Sequence, residues 1–286
     1  MTSDVCGGDP VGGYLDELFG LRGKVVAITG GGGVLFRTVG RALARAGAEV
    51  AVLDLSGPAA ESAAVDIAAE GGRALALTCD ALCRSSLEEA AGQVLGEFGH
   101  IDVLINGAGG NRAEATTASE RSFFDLPEEA FRWVFDLNLV ATVQASQVFG
   151  KAMKERGEGV ILNVSSMNAF RPLTRIPAYS AAKAAVSNFT QWLAVHMAQE
   201  YSARIRVNAL APGFFLTDQN RYLLTDRGTG ELTPRGARIV EHTPAARFGD
   251  PEDLVAPTLF LLSDAARFVT GVVLPVDGGF SAYSGV

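Results

Sequence analysis

The chain of 286 residues is 48% hydrophobic and 20% charged, which is enough apolar material for one large core. Its formal net charge of -8 provides no basic field for nucleic acid or an anionic membrane surface, so neither is an expected partner. With no apolar run near the ~20 residues that cross a bilayer and a start, Met-Thr-Ser-Asp-Val-Cys, unlike a signal peptide, a cytoplasmic protein is expected.

Residues 1–22 are Gly-rich and irregular, and positions 1–20 read as a mobile arm apart from a short helical turn at 14–19. From Lys24 the pattern turns regular: an apolar run at 25–29, glycines at 30–33, then helical spacing over 34–46. In a strand, loop and helix of this kind, free backbone amides and the positive helix end form a pyrophosphate site, here Gly30, Gly32, Gly33, Val34 and Leu35. A glycine run is also a plain turn, so its flanks matter. The next strand, 49–53, ends at Asp54, whose carboxylate can bind both hydroxyls of a ribose. A 2'-phosphate there would meet a like charge, and neither Gly33 nor Leu55 offers a cation, so NAD is favoured over NADP.

A third strand, 74–78, closes at Asp80, and a fourth, 102–105, runs into Asn106-Gly107-Ala108-Gly109. Residues 111–121 are polar without period, a loop over a site mouth, and a helical pattern over 127–156 follows. Asn138 lies inside that pattern, where a buried amide is unfavourable unless it has partners. The apolar run 160–164 delivers Ser166 to the rim of a sheet, and an Ala-rich run places Tyr179 and Lys183 on one helical face. A Tyr and a Lys four apart are common on solvated helices. With Ser166 upstream they suit proton transfer to a carbonyl oxygen: the ammonium lowers a phenol that titrates near ~10, and the Ser hydroxyl bonds the same oxygen.

That helix runs to about residue 200, and a strand at 205–211 ends in Pro212-Gly213. The mixed connection 214–248 reads as a substrate lid; a helix at 252–262 and a strand at 272–276 lead to Asp277-Gly278-Gly279. Seven strands alternating with helices predict one α/β domain over 1–286, a doubly wound, mostly parallel sheet with helices on both faces. Cys6, Cys79 and Cys83, with the scattered His100, His196 and His242, suggest neither a disulfide nor a metal.

Over roughly residues 15–286 the sequence resembles the short-chain dehydrogenase/reductase family, whose Ser and Tyr-x-x-x-Lys spacing is matched by Ser166, Tyr179 and Lys183. The resemblance implies a Rossmann fold and catalysis by Asn138, Ser166, Tyr179 and Lys183, with Asn138 holding a water linked to Lys183. It also implies an adenine contact at Asp80, cofactor contacts at Asn106, Ala108, Gly109, Pro212, Gly213, Tyr179 and Lys183, and a homotetramer. Segments such as Ser165-Ser-Met-Asn-Ala-Phe-Arg-Pro-Leu-Thr and the ending Asp277-Gly-Gly-Phe-Ser-Ala-Tyr-Ser-Gly-Val look like the branch that moves a hydride between NAD(H) and a sugar acid, D-mannonate on one side and D-fructuronate on the other.

A sugar acid needs a partner for its carboxylate, and the Arg fork fits one. Arg171 ranks first and Arg112, in the mouth loop, second; Arg175 is nearby. Two positions depart from the family loop. Val34 and Phe36 stand where it has glycine, and Phe36 either pushes the helix outward or turns its ring into an apolar gap. The rival expectations are a dehydrogenase for another polyol, sugar acid or oxo-acid, and a cofactor-binding regulatory protein that has lost its chemistry.

Overall fold

The computed structural model describes residues 10–217, 221–226 and 228–285. Seven strands, β1 Val25–Thr29, β2 Glu49–Asp54, β3 Arg73–Thr78, β4 Val103–Asn106, β5 Gly159–Val164, β6 Ile205–Pro212 and β7 Val273–Val276, form one sheet in the order β3-β2-β1-β4-β5-β6-β7. Every pairing is parallel; Val26 of β1, for example, is level with Val50 on one side and Val103 on the other. The continuous apolar runs in the sequence have a direct cause: β1, β4, β5 and β6 are buried along their whole length, as strands covered on both faces must be.

Alternate residues feed two cores. Val25, Ala27 and Ala51 pack with Leu87, Val94, Phe149 and Met197 on one face. These come from α4 Arg84–Phe98, α6 Ala141–Arg156 and α7 Pro177–Glu200. Val26, Ile28 and Val50 pack on the other face with Phe36, Leu43, Ile67 and Leu261, from α2 Val34–Arg45, α3 Gly57–Ala69 and α10 Val255–Leu262. Chain direction across the sheet reverses between β1 and β4, and a doubly wound sheet binds its ligand at the carboxyl ends of such strands.

Two local expectations change, and a third stretch gains detail. Helix α1, Pro10–Phe19, is longer than the turn expected at 14–19 and occupies half of the supposed mobile arm; it packs against the turn Asp264–Ala266, and residues before Pro10 lie outside the described ones. The long helix over 127–156 contains a π-turn, Asp136–Val140, between α5 Glu128–Phe135 and α6. The connection 214–248 holds α8 Arg221–Leu224 packed on α9 Pro234–Glu241, which is capped by Thr233 accepting from the Gly236 N–H at 3.1 Å. Among the described residues no helix is long and apolar enough to cross a membrane.

Candidate active site

Thr29 ends β1, and Gly30 turns the chain with φ 66°. A Cβ at Gly30 would stand 2.9 Å from the Ala108 nitrogen, so the glycine loop and the turn after β4 meet backbone to backbone. Gly32 donates its N–H to Asp54 Oδ2 at 3.0 Å, and Ser56 donates to Oδ1 at 2.9 Å. The acidic end of β2 is thereby fixed beside the loop. Gly33 caps α2 without any side-chain bond, and the first-turn N–H groups of Val34 and Leu35 have no partner among the described residues. Such amides suit an anion. Asp80 accepts from the Leu82 N–H at 2.9 Å and shapes its own turn.

Phe36 is 5% exposed and sits in the core with Ile28, Val39 and Val103. Its ring lies over Gly107, where a Cβ would stand 2.8 Å from ring Cδ2. The second of the two expectations for Phe36 therefore holds, and the ring fills space that a side chain at position 107 would need.

The candidate reacting groups come from three further junctions. After β5, Ser166 is fully extended, buried, and accepts from the Asn168 N–H at 3.3 Å. Pro177 starts α7, whose first turns carry the half-buried Tyr179 and the buried Lys183. Lys183 Nζ donates to the Val164 carbonyl at 2.7 Å and lies 5.6 Å from the centre of the Tyr179 ring. Asn138, fully buried in the π-turn, donates to the Gly110 and Val134 carbonyls, both at 2.7 Å, and accepts from the Gly110 N–H at 3.2 Å. The π-turn so aims its amide at the turn after β4. Gly109 completes the contact: a Cβ there would be 2.8 Å from Asn138 Oδ1 and 3.1 Å from Lys183 Nζ.

Burial dominates the electrostatics. It raises the Tyr179 phenol above its ordinary value, against a hydrogen bond from Ser166 that pulls it back. It also pushes Lys183 down to about 7. The expected lowering of the phenol by a full ammonium is therefore corrected for the ligand-free protein: desolvation acts on both groups, and the amine is close to half neutral at pH 7.

Lys183 also sets a pH dependence. Its folded value lies below that of the unfolded chain, ~10.4, so the unfolded state binds more protons from about pH 7 to about pH 10 and stability rises with pH across that window. The ligand-free melting temperature of the wild type is expected to climb relative to Lys183→Met between about pH 7 and about pH 9. Parallel curves would mean that Lys183 stays charged when folded.

The other sequence candidates divide. Pro212 ends β6 and Gly213 follows it, where a Cβ at Gly213 would touch Asp277 Cα at 2.7 Å. The Asn106 side chain turns away from the crevice, donating to Ser146 Oγ at 3.0 Å and Asn163 Oδ1 at 2.8 Å, and Asn163 donates to Thr190 Oγ1 at 2.9 Å. The Asn106 Nδ2 is thereby used inside the fold, while its buried Oδ1 keeps no partner among the described residues. Arg171 donates through Nε to the Ser281 carbonyl at 3.1 Å; Arg112 is bonded to Glu114 and lies 4.8 Å over the Trp133 ring. Sequence reasoning missed Ser165, which donates to the Lys183 carbonyl at 3.0 Å, and the pair Asn163 and Thr190. A polar residue inside an apolar strand run, as in Val-Ile-Leu-Asn-Val, was the available signal.

This fold and this cluster define an oxidoreductase, and the chain belongs to the short-chain dehydrogenase/reductase family. Residues 37–281 match the family model described as enoyl-(acyl carrier protein) reductase. The chain is 48% identical over 275 residues to an uncharacterized oxidoreductase, UxuB, of Bacillus subtilis, covering 93% of this chain and 98% of the relative. It is also similar to a crystal structure, with bound NAD, of a proposed D-mannonate oxidoreductase from Haemophilus influenza: 46% identity, TM-score 0.87, 93% of this chain and 98% of that one. The 5-keto-D-gluconate 5-reductase of Escherichia coli is 32% identical over 93% of this chain and 98% of its own.

Proposed function

We propose that the protein is an NAD-dependent D-mannonate oxidoreductase (fructuronate reductase), interconverting a sugar-acid alcohol and its ketone. The observation that carries the reading is the convergence of Ser166, Tyr179, Lys183 and Asn138 at the switch point of the sheet. The resemblance to an NAD-bound proposed D-mannonate oxidoreductase, and to a reductase of a keto sugar acid, supports the substrate class.

The residues present fit NAD. The partnerless amides of Val34 and Leu35, with Gly30, Gly32 and Gly33, would hold the pyrophosphate, and Asp54 the adenosine ribose. Asp80 would border the adenine, the 106–109 turn and Pro212-Gly213 the nicotinamide, and Lys183 with Tyr179 its ribose. When bound, the cofactor supplies or accepts the hydride. Tyr179 gives a proton to the carbonyl oxygen during reduction and takes it back during oxidation, while Ser166 donates a hydrogen bond to that oxygen. Asn138 would hold a water that carries the proton outward from Lys183. Residues 214–248 act as the substrate lid, and Arg171, then Arg112, is the partner for the carboxylate.

The test uses purified protein, weighed first by light scattering to read the proposed homotetramer, then assayed for NADH formation on a panel of aldonic acids, polyols and hydroxy acids. D-mannonate with NAD is expected to lead, with NADP poorer by roughly tenfold or more because its extra phosphate meets Asp54. Arg171→Ala should raise KM for the acid, and an unchanged KM moves the role to Arg112. A different leading substrate overturns the mannonate assignment. NAD binding without turnover across the whole panel favours the regulatory alternative.

A further inference from the structure

Asn168 sits in the short turn Met167–Ala169 directly after Ser166, and that turn packs against both α7 and β6. It is 5% exposed, yet its Oδ1 has no hydrogen-bond partner, and among the described residues its side chain makes no bond at either end. Buried amides are nearly always paired, because leaving one unmatched costs free energy in the folded protein. Its backbone N–H, by contrast, is engaged with Ser166 Oγ at 3.3 Å. The side chain therefore follows by two positions the Ser166 proposed to meet the substrate oxygen.

The other buried polar atoms without partners have local explanations. Asn106 Oδ1 belongs to an amide whose nitrogen already makes two bonds. Ser180 carries a rotating hydroxyl beside its own Ile176 carbonyl, the usual acceptor for a helical Ser. Gln144 is only half-buried, on α6. Among the described residues, Asn168 combines a buried, unmatched Oδ1 with a place two positions from Ser166.

We infer that Asn168 is a substrate-binding residue that selects a hydroxyl on the carbon next to the reacting one. This rests on the alcohol–ketone reading given above. An amide presents one acceptor and one donor face, and a hydroxyl both donates and accepts, so one vicinal hydroxyl satisfies both ends. A carboxylate only accepts, and would leave Oδ1 unmatched. A substrate with a bare methylene at that carbon would leave the buried Oδ1 unpaired, which is how a polar site rejects such analogues.

The test is Asn168→Leu, similar in size and without polar atoms. Compared with wild type, the ligand-free variant should melt at the same temperature or higher, and its NAD dissociation constant should be unchanged. Its kcat/KM for the leading panel substrate should fall by about 100-fold, mostly through KM. A deoxy analogue lacking the vicinal hydroxyl should lose far less. A lower melting temperature would show that the amide supports the fold, and an unchanged kcat/KM would show that it does not meet substrate; either overturns the inference. If a compound other than D-mannonate leads the panel, the ratio is read with that compound, so a failed substrate assignment stays distinct. If nothing turns over, the melting temperature decides alone: a fall overturns the inference and a rise supports it.

Discussion

Tyr179→Phe is expected to lower turnover by about 10²- to 10⁴-fold while leaving NAD affinity nearly unchanged. The ring is half-buried at the start of α7, and its hydroxyl is bonded by Ser166. Phe keeps the ring and its packing and removes only the hydroxyl proposed to exchange the proton. Burial raises the phenol, so the free protein holds it protonated at neutral pH and enters ketone reduction with the proton in place. Alcohol oxidation needs the opposite state, and its rate in the wild type should increase with pH. Steady-state kinetics in both directions, with NADH titrated separately by fluorescence, read all of this. Turnover within a few-fold of wild type would remove Tyr179 from the chemistry, and Ser166 would be the next group to examine.

Phe36→Ala is expected to destabilise the protein by about 3–5 kcal/mol, the usual cost of truncating a core Phe. The ring is almost wholly buried and packs both on the core beneath α2 and over Gly107. Removing it leaves a cavity under the turn that carries Ala108 to the glycine loop and Gly109 to Asn138 and Lys183. NAD binding should weaken with the loss of that support, the reverse of what a ring pushing the helix outward would give. Denaturant unfolding of the ligand-free protein measures the first effect and NAD titration the second. A loss below about 1 kcal/mol would mean that the ring is not part of the core.

Much of the fold was legible because each strand–helix unit announces itself locally. The apolar runs of β1, β2, β5 and β6 fell where expected to within a residue, since strands buried on both faces admit little else. The nearness of Ser166, Tyr179 and Lys183 was legible because two of them share a helix face and the third closely follows a strand. What stayed hidden depends on contacts between distant segments. The π-turn at 136–140 is stabilised by Asn138 reaching the 110 backbone, which no periodicity reports. Phe36 stood out only as a departure from the family's glycine loop, and the folded chain alone sets its ring over Gly107. The lowering of Lys183 was hidden for the same reason, because burial drives it and segments such as the 109 turn and the end of β5 close around its Nζ.

The parallel sheet has a consequence for how activity arises during folding. Gly109 follows β4, Asn138 sits between α5 and α6, Ser166 follows β5, and Lys183 lies within α7. No fragment of the chain carries a working site, because its parts meet only after β1, β4 and β5 have paired across long intervening segments. Pairings of this kind form late and slowly. Secondary structure recovered after dilution from denaturant should thus precede enzyme activity, and the interval between them times the closure of the middle of the sheet.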